Sequence, residues 1–206
     1  MTTLTNFQIY DLLNRPHPLW LVKIDLSDTN LLYVDLSDCN LSYANLSRAD
    51  LNWANLMRAN LTRVNLNMAN LYEAHVHMAI INNGILTRAN LTRADLSKTE
   101  LNEVQMVETN LSRAILSKAN LTKANLTGAI LNRADFSKST IVGANFNSAD
   151  LSMANFFEAN LSGSDFTDAN LKKADLTGAN LSNCNLTGAI LDGADLTDAI
   201  LPVNEE

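Results

Sequence analysis

Leucine recurs at every fifth position through most of this 206-residue chain. From Leu26 to Leu201 the series has 36 consecutive members, of which 28 are Leu, four are Phe and the others are Val, Ile or Met. The residue two places earlier is small or β-branched, with Ile24 the only bulky member, and it is Ala in 24 repeats. The residue directly before the central one is Asn or Asp in 26 repeats. We therefore expect the central and small residues to face a common interior.

A period of five residues excludes both a single helix and a flat strand. In an α-helix each residue turns by about 100°, so residues five apart would spread over the whole helix surface. In a flat strand the side chains alternate faces with a period of two, so successive central residues would point to opposite sides. The pattern is satisfied if the chain turns once in each repeat, and Asn and Asp favour such turns. The sequence thus predicts an all-β solenoid.

The stretch Ala119-Asn120-Leu121-Thr122-Lys123 shows the repeat in full. It resembles the motif of the pentapeptide repeat proteins, which reads small residue, Asn or Asp, Leu or Phe, polar, any. The resemblance extends over residues 24–203 and implies a right-handed quadrilateral β-helix in which four pentapeptides make a coil of twenty residues. Thirty-six repeats then give about nine coils, and a spacing of about 4.8 Å between coils gives a rod of roughly 43 Å. The resemblance also implies a bacterial, often cyanobacterial, protein.

Residues 1–23 do not follow the five-residue rule and are predicted to form an N-terminal cap and lead-in. Between Thr5 and Asn14 the apolar residues recur at helical spacing, which predicts a short amphipathic α-helix. Thr5 and Gln8 have the spacing of a capping box, and Pro16 favours an end just after Asn14. Because an open terminal coil would expose core and backbone groups, we expect this helix to cover the first coil. The alternative, a membrane-binding helix, is disfavoured because the polar side lacks basic residues.

Composition gives an expectation for compartment and redox state. No apolar run approaches the roughly 18 to 20 residues of a membrane span, and the start of the chain lacks the basic and apolar regions of a secretory signal. We therefore expect a cytoplasmic protein without membrane contact. Cys39 and Cys184 both occupy the small inward position and lie about seven coils apart, roughly 35 Å. That separation excludes a disulfide between them and predicts two buried thiols.

Two groups of outward residues are candidates for binding a partner. Tyr33 and Trp53 are twenty residues apart, so the four-sided coil would stack them on adjacent coils, and exposed aromatic residues can mark a binding patch. Basic residues also recur at twenty-residue spacing and are predicted to form two neighbouring columns. These columns are Arg93, Arg113 and Arg133, and Lys98, Lys118 and Lys138. The alternative for both groups is an ordinary solvated surface.

The least regular segment runs from His75 to Leu86, where Asn and Asp disappear from the turn position. His75 and His77 are two residues apart, but no third ligand of matching spacing accompanies them, and a metal site usually needs three or four. We therefore predict no metal site. An apolar contact surface, or simply a loosened turn, is the favoured interpretation of this segment, with three outward apolar residues, Met78, Ile80 and Ile85.

No catalytic constellation is apparent in the sequence. There is no Gly-rich loop to hold a phosphate and no nucleophile paired with a general base, while the many Ser, Thr and Asp residues belong to the repeat. We therefore expect no enzyme activity and no cofactor. The leading hypothesis is a non-catalytic scaffold, or protein-interaction module, that presents flat β-helix walls to a protein partner. The alternative is a DNA mimic, since some members of the resembling family bind DNA gyrase and inhibit or protect it.

The charge is unevenly distributed along the chain. Beyond Ser139 there are two basic residues and ten acidic ones, a local charge of minus eight, whereas the whole chain carries minus seven. The acidic end should repel nucleic acid, and DNA mimicry would require acid along the whole rod. The predicted partner is therefore a protein, with an acidic surface that would match the basic columns. At the C-terminal end the remaining residues are too few to cover the last coil, so a homodimer through that end is a further hypothesis.

Overall fold

The computed structural model describes residues 6–16 and 18–202. One helix, α1 (Asn6–Leu13), precedes a series of coils. Every β-bridge in the coils is parallel and joins a residue to the one twenty positions later, from Trp20↔Asn40 to Asn180↔Ile200. Each of the four sides of a coil carries one such bridge and then a turn, so the described residues contain no longer strands. Four repeats therefore make one coil, as predicted.

A tight turn forms the corner after each central residue. The residue two places after the central one has a φ between 53° and 71° in all 36 turns from Lys23 to Asp198. A positive φ at this third residue of the turn is the mark of a type II turn. In the corner that begins at Leu41, for example, the N–H of Ala44 closes the turn on the Leu41 carbonyl at 3.0 Å. Six of the 36 positions are Gly and thirty are not, so most repeats accept the left-handed strain, roughly 1 to 2 kcal/mol each.

The repeat around Leu121 shows what offsets that strain, because all five of its backbone N–H groups find acceptors. Three of them donate to backbone carbonyls of the coils before and after, one closes the turn, and one donates to the side chain of the Asn. The five bonds are Asn120 N to Thr99 O, Leu121 N to Thr140 O, Lys123 N to Val142 O, Ala124 N to Leu121 O, and Thr122 N to Asn120 Oδ1. The Asn or Asp before the central residue thus accepts from the one backbone N–H, that of the residue after the central one, which has no backbone carbonyl as its acceptor.

The central residues and the small residues before them form one continuous apolar column inside the rod. Most are completely buried. Four phenylalanines fill two facing positions of this column over successive coils: Phe136 stacks on Phe156, and Phe146 stacks on Phe166, each with ring centroids 4.9 Å apart. Facing rings meet edge to face at 6.2–6.4 Å. The stacking distance matches the coil spacing of about 4.8 Å.

Helix α1 covers the N-terminal end of this column. Ile9 is buried and Leu12 packs against the core, while Leu19 and Leu21 are buried below them. Trp20, which lies between these two leucines in the chain, is 82% exposed. It occupies the outward bridge position opposite Asn40, so regular pairing begins before the predicted boundary at residue 24. Thr5 of the predicted capping box lies outside the described residues, as do the side chains of Phe7, Tyr10 and Leu13.

At the opposite end the described residues leave the column open. A pocket of about 220 Å³ lies there, and the leucines of the last coils line it together with Pro202: Leu176, Leu181, Leu186, Leu191, Leu196 and Leu201. Between described residues, the last axial bond from the N–H of a central residue is that of Leu181 to the Ile200 carbonyl. Among residues 6–16 and 18–202, nothing packs beyond this coil.

Both cysteines are buried thiols, as predicted. Burial raises the pKa of each thiol. Cys184 donates to the Leu161 carbonyl at 3.0 Å, and Cys39 accepts from the N–H of Leu19 at 3.2 Å. Within the described part of the chain, no helix is long and apolar enough to cross a membrane.

Candidate functional site

The predicted basic columns lie on two neighbouring edges of the rod. Because bridges join residues twenty apart, the outward turn residues of successive coils line up along each edge. The arginine edge consists of Arg93, Arg113 and Arg133, and the lysine edge consists of Lys98, Lys118 and Lys138. The side between these two edges has Asp95, Ile115 and Asp135 at its central positions, and these three residues are bridged to one another. We call this side, with its two edges, the basic face.

At one end of each edge, a cation forms an ion pair with an acidic residue that the sequence analysis did not single out. Arg93 pairs with Glu73 at 3.0 Å, and Lys138 pairs with Glu158 at 3.4 Å. A hydrogen bond from Tyr72, and then one from Arg93, hold the pKa of Glu73 below its usual value. Two of the six cations are therefore neutralised within the rod. The twenty-residue spacing from Glu73 to Arg93 and from Lys138 to Glu158 was the signal that could have revealed these pairs.

The middle of the basic face lacks such compensation. Arg113, Lys98 and Lys118 make no ion pair or hydrogen bond to an acidic side chain of the described residues. Arg133 directs its Nε to the Met153 sulfur at 3.4 Å, a contact that does not neutralise its charge. Like charges about 4 Å apart repel by about 1 kcal/mol in bulk water, and salt screens this repulsion. An anionic surface bound to this face would offset the repulsion between the cations.

The aromatic candidates lie on the same edge as the arginines. Tyr33 stacks on Trp53 with centroids 6.3 Å apart, and Trp53 meets Tyr72 edge to face at 6.0 Å. The Tyr72 hydroxyl then accepts a hydrogen bond from Arg93 at 3.3 Å. Tyr33 and Trp53 are 67% and 39% exposed. The two groups that the sequence presented as separate alternatives thus form one continuous strip, aromatic toward the N-terminal end and cationic toward the middle of the rod.

The irregular segment does not form a site of its own. His77 Nδ1 lies 2.7 Å from Ser97 Oγ, and His75 continues the bridge ladder between Asn55 and Asp95. Among the described residues no group of three metal ligands occurs. Met78 and Ile80 are exposed at one corner and the side that follows it, whereas Ile85 is exposed on the next side. These apolar residues therefore do not share a single flat surface.

Comparison with known proteins agrees with this architecture. The family described as pentapeptide repeats matches the chain in eight copies, over residues 21–56, 54–77, 81–113, 105–141, 119–163 and 164–201. A comparison with proteins of curated function finds no match.

Solved structures give the same result. HetL from the cyanobacterium Nostoc sp. strain PCC 7120, a pentapeptide repeat protein involved in the regulation of heterocyst differentiation, is 29% identical. The alignment covers 100% of this chain and 99% of HetL, with a TM-score of 0.63. A trypsin-treated variant of QnrB1, a plasmid-mediated fluoroquinolone resistance protein, is 18% identical over 90% of this chain and 92% of its own, with a TM-score of 0.79. Full-length QnrB1 gives a TM-score of 0.74 at the same identity. The chain belongs to the pentapeptide repeat family, and its coils form a right-handed, four-sided β-helix.

Proposed function

We propose that this protein is a non-catalytic interaction module that binds an acidic surface of a protein partner through the basic face. One observation carries the proposal: six cations line two edges of a single side over three consecutive coils, and the middle ones have no acidic partner among the described residues. A partner that supplies carboxylates would relieve their repulsion, so its binding would be favoured by charge complementarity.

The shape of the basic face also suits a protein partner. Its central positions are one bridged residue per coil, so the surface is regular and nearly free of projecting loops. Ile115, at the centre of the face, is 42% exposed and gives an apolar contact between the two charged edges. A flat surface that has an exposed apolar residue between polar and charged ones resembles the arrangement of many protein interfaces.

The likeness to HetL supports a regulatory role over an enzymatic one. HetL takes part in regulating heterocyst differentiation, and its alignment with this chain extends over nearly all of both proteins. We extend a regulatory function of this kind to the present protein, acting in the cytoplasm and without a cofactor.

Capture of a partner from the native cytosol tests the proposal. The triple variant Lys98→Gln, Arg113→Gln and Lys118→Gln removes the unpaired cations of the basic face. It should lose the partner that the parent captures, and capture by the parent should weaken as salt rises. Capture that survives the triple change across a salt series would contradict the proposal.

A charge-matched control distinguishes the effect of the basic face on partner capture from the effect of net charge. The triple variant Arg48→Gln, Arg63→Gln and Arg88→Gln removes three cations from other edges of the rod. Two of these arginines pair with acids, Arg48 with Asp28 and Arg88 with Glu108, and Arg63 lies over the Tyr43 ring. This control should capture the partner as the parent does.

DNA gyrase binding stays the alternative prediction. The likeness to QnrB1 lies at 18% identity and therefore supports only the shared fold. The acid of this chain is concentrated beyond Ser139, and the basic face interrupts the surface that a DNA mimic would need. A supercoiling assay with the purified protein decides between the two, since inhibition or protection of gyrase would favour the alternative.

A homodimer through the C-terminal end is compatible with the interaction module. The apolar pocket of about 220 Å³ and the unpaired axial N–H groups beyond Leu181 leave this end open among the described residues, whereas α1 covers the other end. Joining two such ends about a two-fold axis would bury both pockets. Sedimentation equilibrium should then show a dimer that Leu196→Lys converts to a monomer, and a monomeric parent would exclude it.

A further inference from the structure

A polar pocket opens on the arginine edge and extends over three successive coils. It has a volume of about 390 Å³ and is lined by Arg113, Asn132, Arg133, Ser152 and Met153. None of the lining residues is acidic. The two guanidinium groups supply several N–H donors, and neither has a carboxylate partner among the described residues. The pocket is therefore built to receive acceptor oxygens.

The same pocket contains an acceptor that lacks a donor. The Oδ1 atom of Asn132 is buried and has no hydrogen-bond partner, which is uncommon for a buried polar atom. Two other Asn residues at the same turn position avoid this. Asn52 Oδ1 accepts from the backbone N–H of Tyr72 at 3.1 Å, and Asn82 Oδ1 accepts from that of Asn102 at 2.9 Å. In both cases the donor lies twenty residues later, in the next coil.

At Asn132 the corresponding donor is already in use. The backbone N–H of Ser152, twenty residues later, donates instead to Asp150 Oδ1 at 3.1 Å. Asp150 thus completes its own turn and leaves the Asn132 oxygen without a donor from the next coil. The pocket lining consequently has two cationic forks and, at Asn132, a buried acceptor that still lacks an N–H or O–H group.

We propose that this pocket binds a carboxylate that has a hydrogen-bond donor beside it, presented by an Asp or Glu side chain of an acidic protein segment. The carboxylate would accept from Arg113 and Arg133, which form strong charge-assisted bonds with such groups. On binding, the Asn132 amide would turn toward the pocket, so that a backbone N–H of the same segment could donate to its Oδ1 atom. This inference rests on the proposed function, because it names the group of the partner that the basic face anchors.

Titration with short peptides tests the pocket without the unknown partner. The probe is acetyl-Gly-Asp-Gly-amide, which carries one carboxylate next to backbone N–H groups. Its neutral counterpart, acetyl-Gly-Asn-Gly-amide, and sodium phosphate serve as the comparison ligands. In the 15N-labelled protein, the Asp peptide should shift the amide signals of Arg113, Asn132 and Arg133 in a saturable manner. The Asn peptide should not. Binding of phosphate with no response to the Asp peptide would overturn the proposal in favour of a free oxyanion.

Two double variants distinguish the contribution of the pocket to peptide binding from that of the general positive charge of the basic face. Arg113→Gln with Arg133→Gln should weaken binding of the Asp peptide at least tenfold. Lys98→Gln with Lys118→Gln removes the same charge from the other edge and should weaken it less than threefold. Equal losses in the two variants would overturn the proposal, because charge alone would then explain the binding.

Two further variants keep the test decisive. If the double arginine variant fails to fold, Arg113→Lys replaces it: this change keeps the charge but removes the fork, and binding should still fall at least threefold. Asn132→Ala removes the acceptor and should weaken the Asp peptide at least threefold. Unchanged binding in Asn132→Ala would overturn the role of the donor beside the carboxylate.

The peptide titration and the partner capture can fail independently. If the Asp peptide binds the pocket while the basic-face variant still captures its partner, the pocket stands and the proposed function is wrong. If capture depends on the basic face while the Asp peptide does not bind, the proposed function stands and the inference about the pocket is wrong.

Discussion

Two reciprocal substitutions on one side of the rod test what determines the stability contributed by the residue at the outward bridge position. The two candidates are its side-chain hydrogen bonds and its β-propensity. Asn155 and Ile115 occupy equivalent positions two coils apart on the side that carries the basic face. Asn155 donates from Nδ2 to Asp135 Oδ1 at 3.0 Å and accepts from the backbone N–H of Phe157 at 2.9 Å. Ile115 can make neither bond. Exchanging the residue types therefore adds the pair of bonds at one site and removes it at the other.

The magnitudes favour the hydrogen bonds. A net contribution of about 1 kcal/mol for each bond gives about 2 kcal/mol for the pair. An Ile at this position stays 42% exposed, as at Ile115, so its burial returns only about half of the 1.5 to 3 kcal/mol of a fully buried side chain, roughly 1 kcal/mol. Asn155→Ile should therefore lower the free energy of unfolding by about 1 kcal/mol and Ile115→Asn should raise it by about the same amount.

The existing pair of Asp25 and Asn45 shows that the new bonds can form. Asn45 Nδ2 donates to Asp25 Oδ1 at 3.0 Å, although that oxygen also accepts from the N–H and hydroxyl of Ser27. Asp95 Oδ1 likewise accepts from the N–H and the hydroxyl of Ser97. An Asn at position 115 would therefore find at Asp95 the same partner that Asn45 finds at Asp25.

Thermal unfolding followed by circular dichroism measures the effect. For a chain of this length, about 1 kcal/mol corresponds to a shift of roughly 2 to 4 °C in the midpoint, downward for Asn155→Ile and upward for Ile115→Asn. The double variant has the parent's composition, and its sites are about 10 Å apart, so it should melt close to the parent. β-Propensity alone predicts the opposite signs. If Asn155→Ile melts above the parent and Ile115→Asn below it, the reasoning is refuted.

Other predictions concern the core, the cysteines and the response to acid. Leu121→Asp should unfold the middle of the rod, because a charge would enter the apolar column without a partner, and loss of the cooperative β signal would show it. Gly84→Ala should cost about 1 to 3 kcal/mol, since the added Cβ would lie 2.9 Å from Ile81 Cγ2, and urea unfolding measures the loss. Under native conditions Cys184, which lies near the open end and is 8% exposed, should alkylate faster than the fully buried Cys39, as peptide mass mapping can test. Acidification below about pH 4 should lower the melting midpoint at low salt. Hydrogen bonds from arginine hold the pKa of three carboxylates below their usual values: Asp28, Asp38 and Glu108. The stability that these bonds provide is present above the usual carboxylate pKa of about 4, and it is lost as the pH falls and the carboxylates become protonated.

The sequence by itself determined the coil. A column of leucines at a five-residue period can be buried only if the chain turns in each repeat, and the small residue and the Asn or Asp then have fixed places. The amino-terminal helix and the buried thiols followed from the same kind of local and periodic reasoning. These features were predictable because each depends on residues close in sequence or on one repeated distance.

The outward surface was only half determined by the sequence. The twenty-residue period placed Tyr33 on Trp53, but the pairing of Arg93 with Glu73 depended on where two flexible side chains meet across a coil. The exposure of Trp20 likewise depends on the tertiary structure, because the first repeat departs from the motif and only bridge pairing shows its register.

The pocket on the arginine edge was decided by tertiary structure alone. Asn132 looks like any other polar residue after a central leucine, and its oxygen lacks a donor only because Asp150 takes the N–H of Ser152 in the next coil. Competition between two acceptors for one donor depends on the stacking of coils. The local repeat therefore dictates the inside of the rod, whereas contacts between coils dictate which outward groups stay available to a partner.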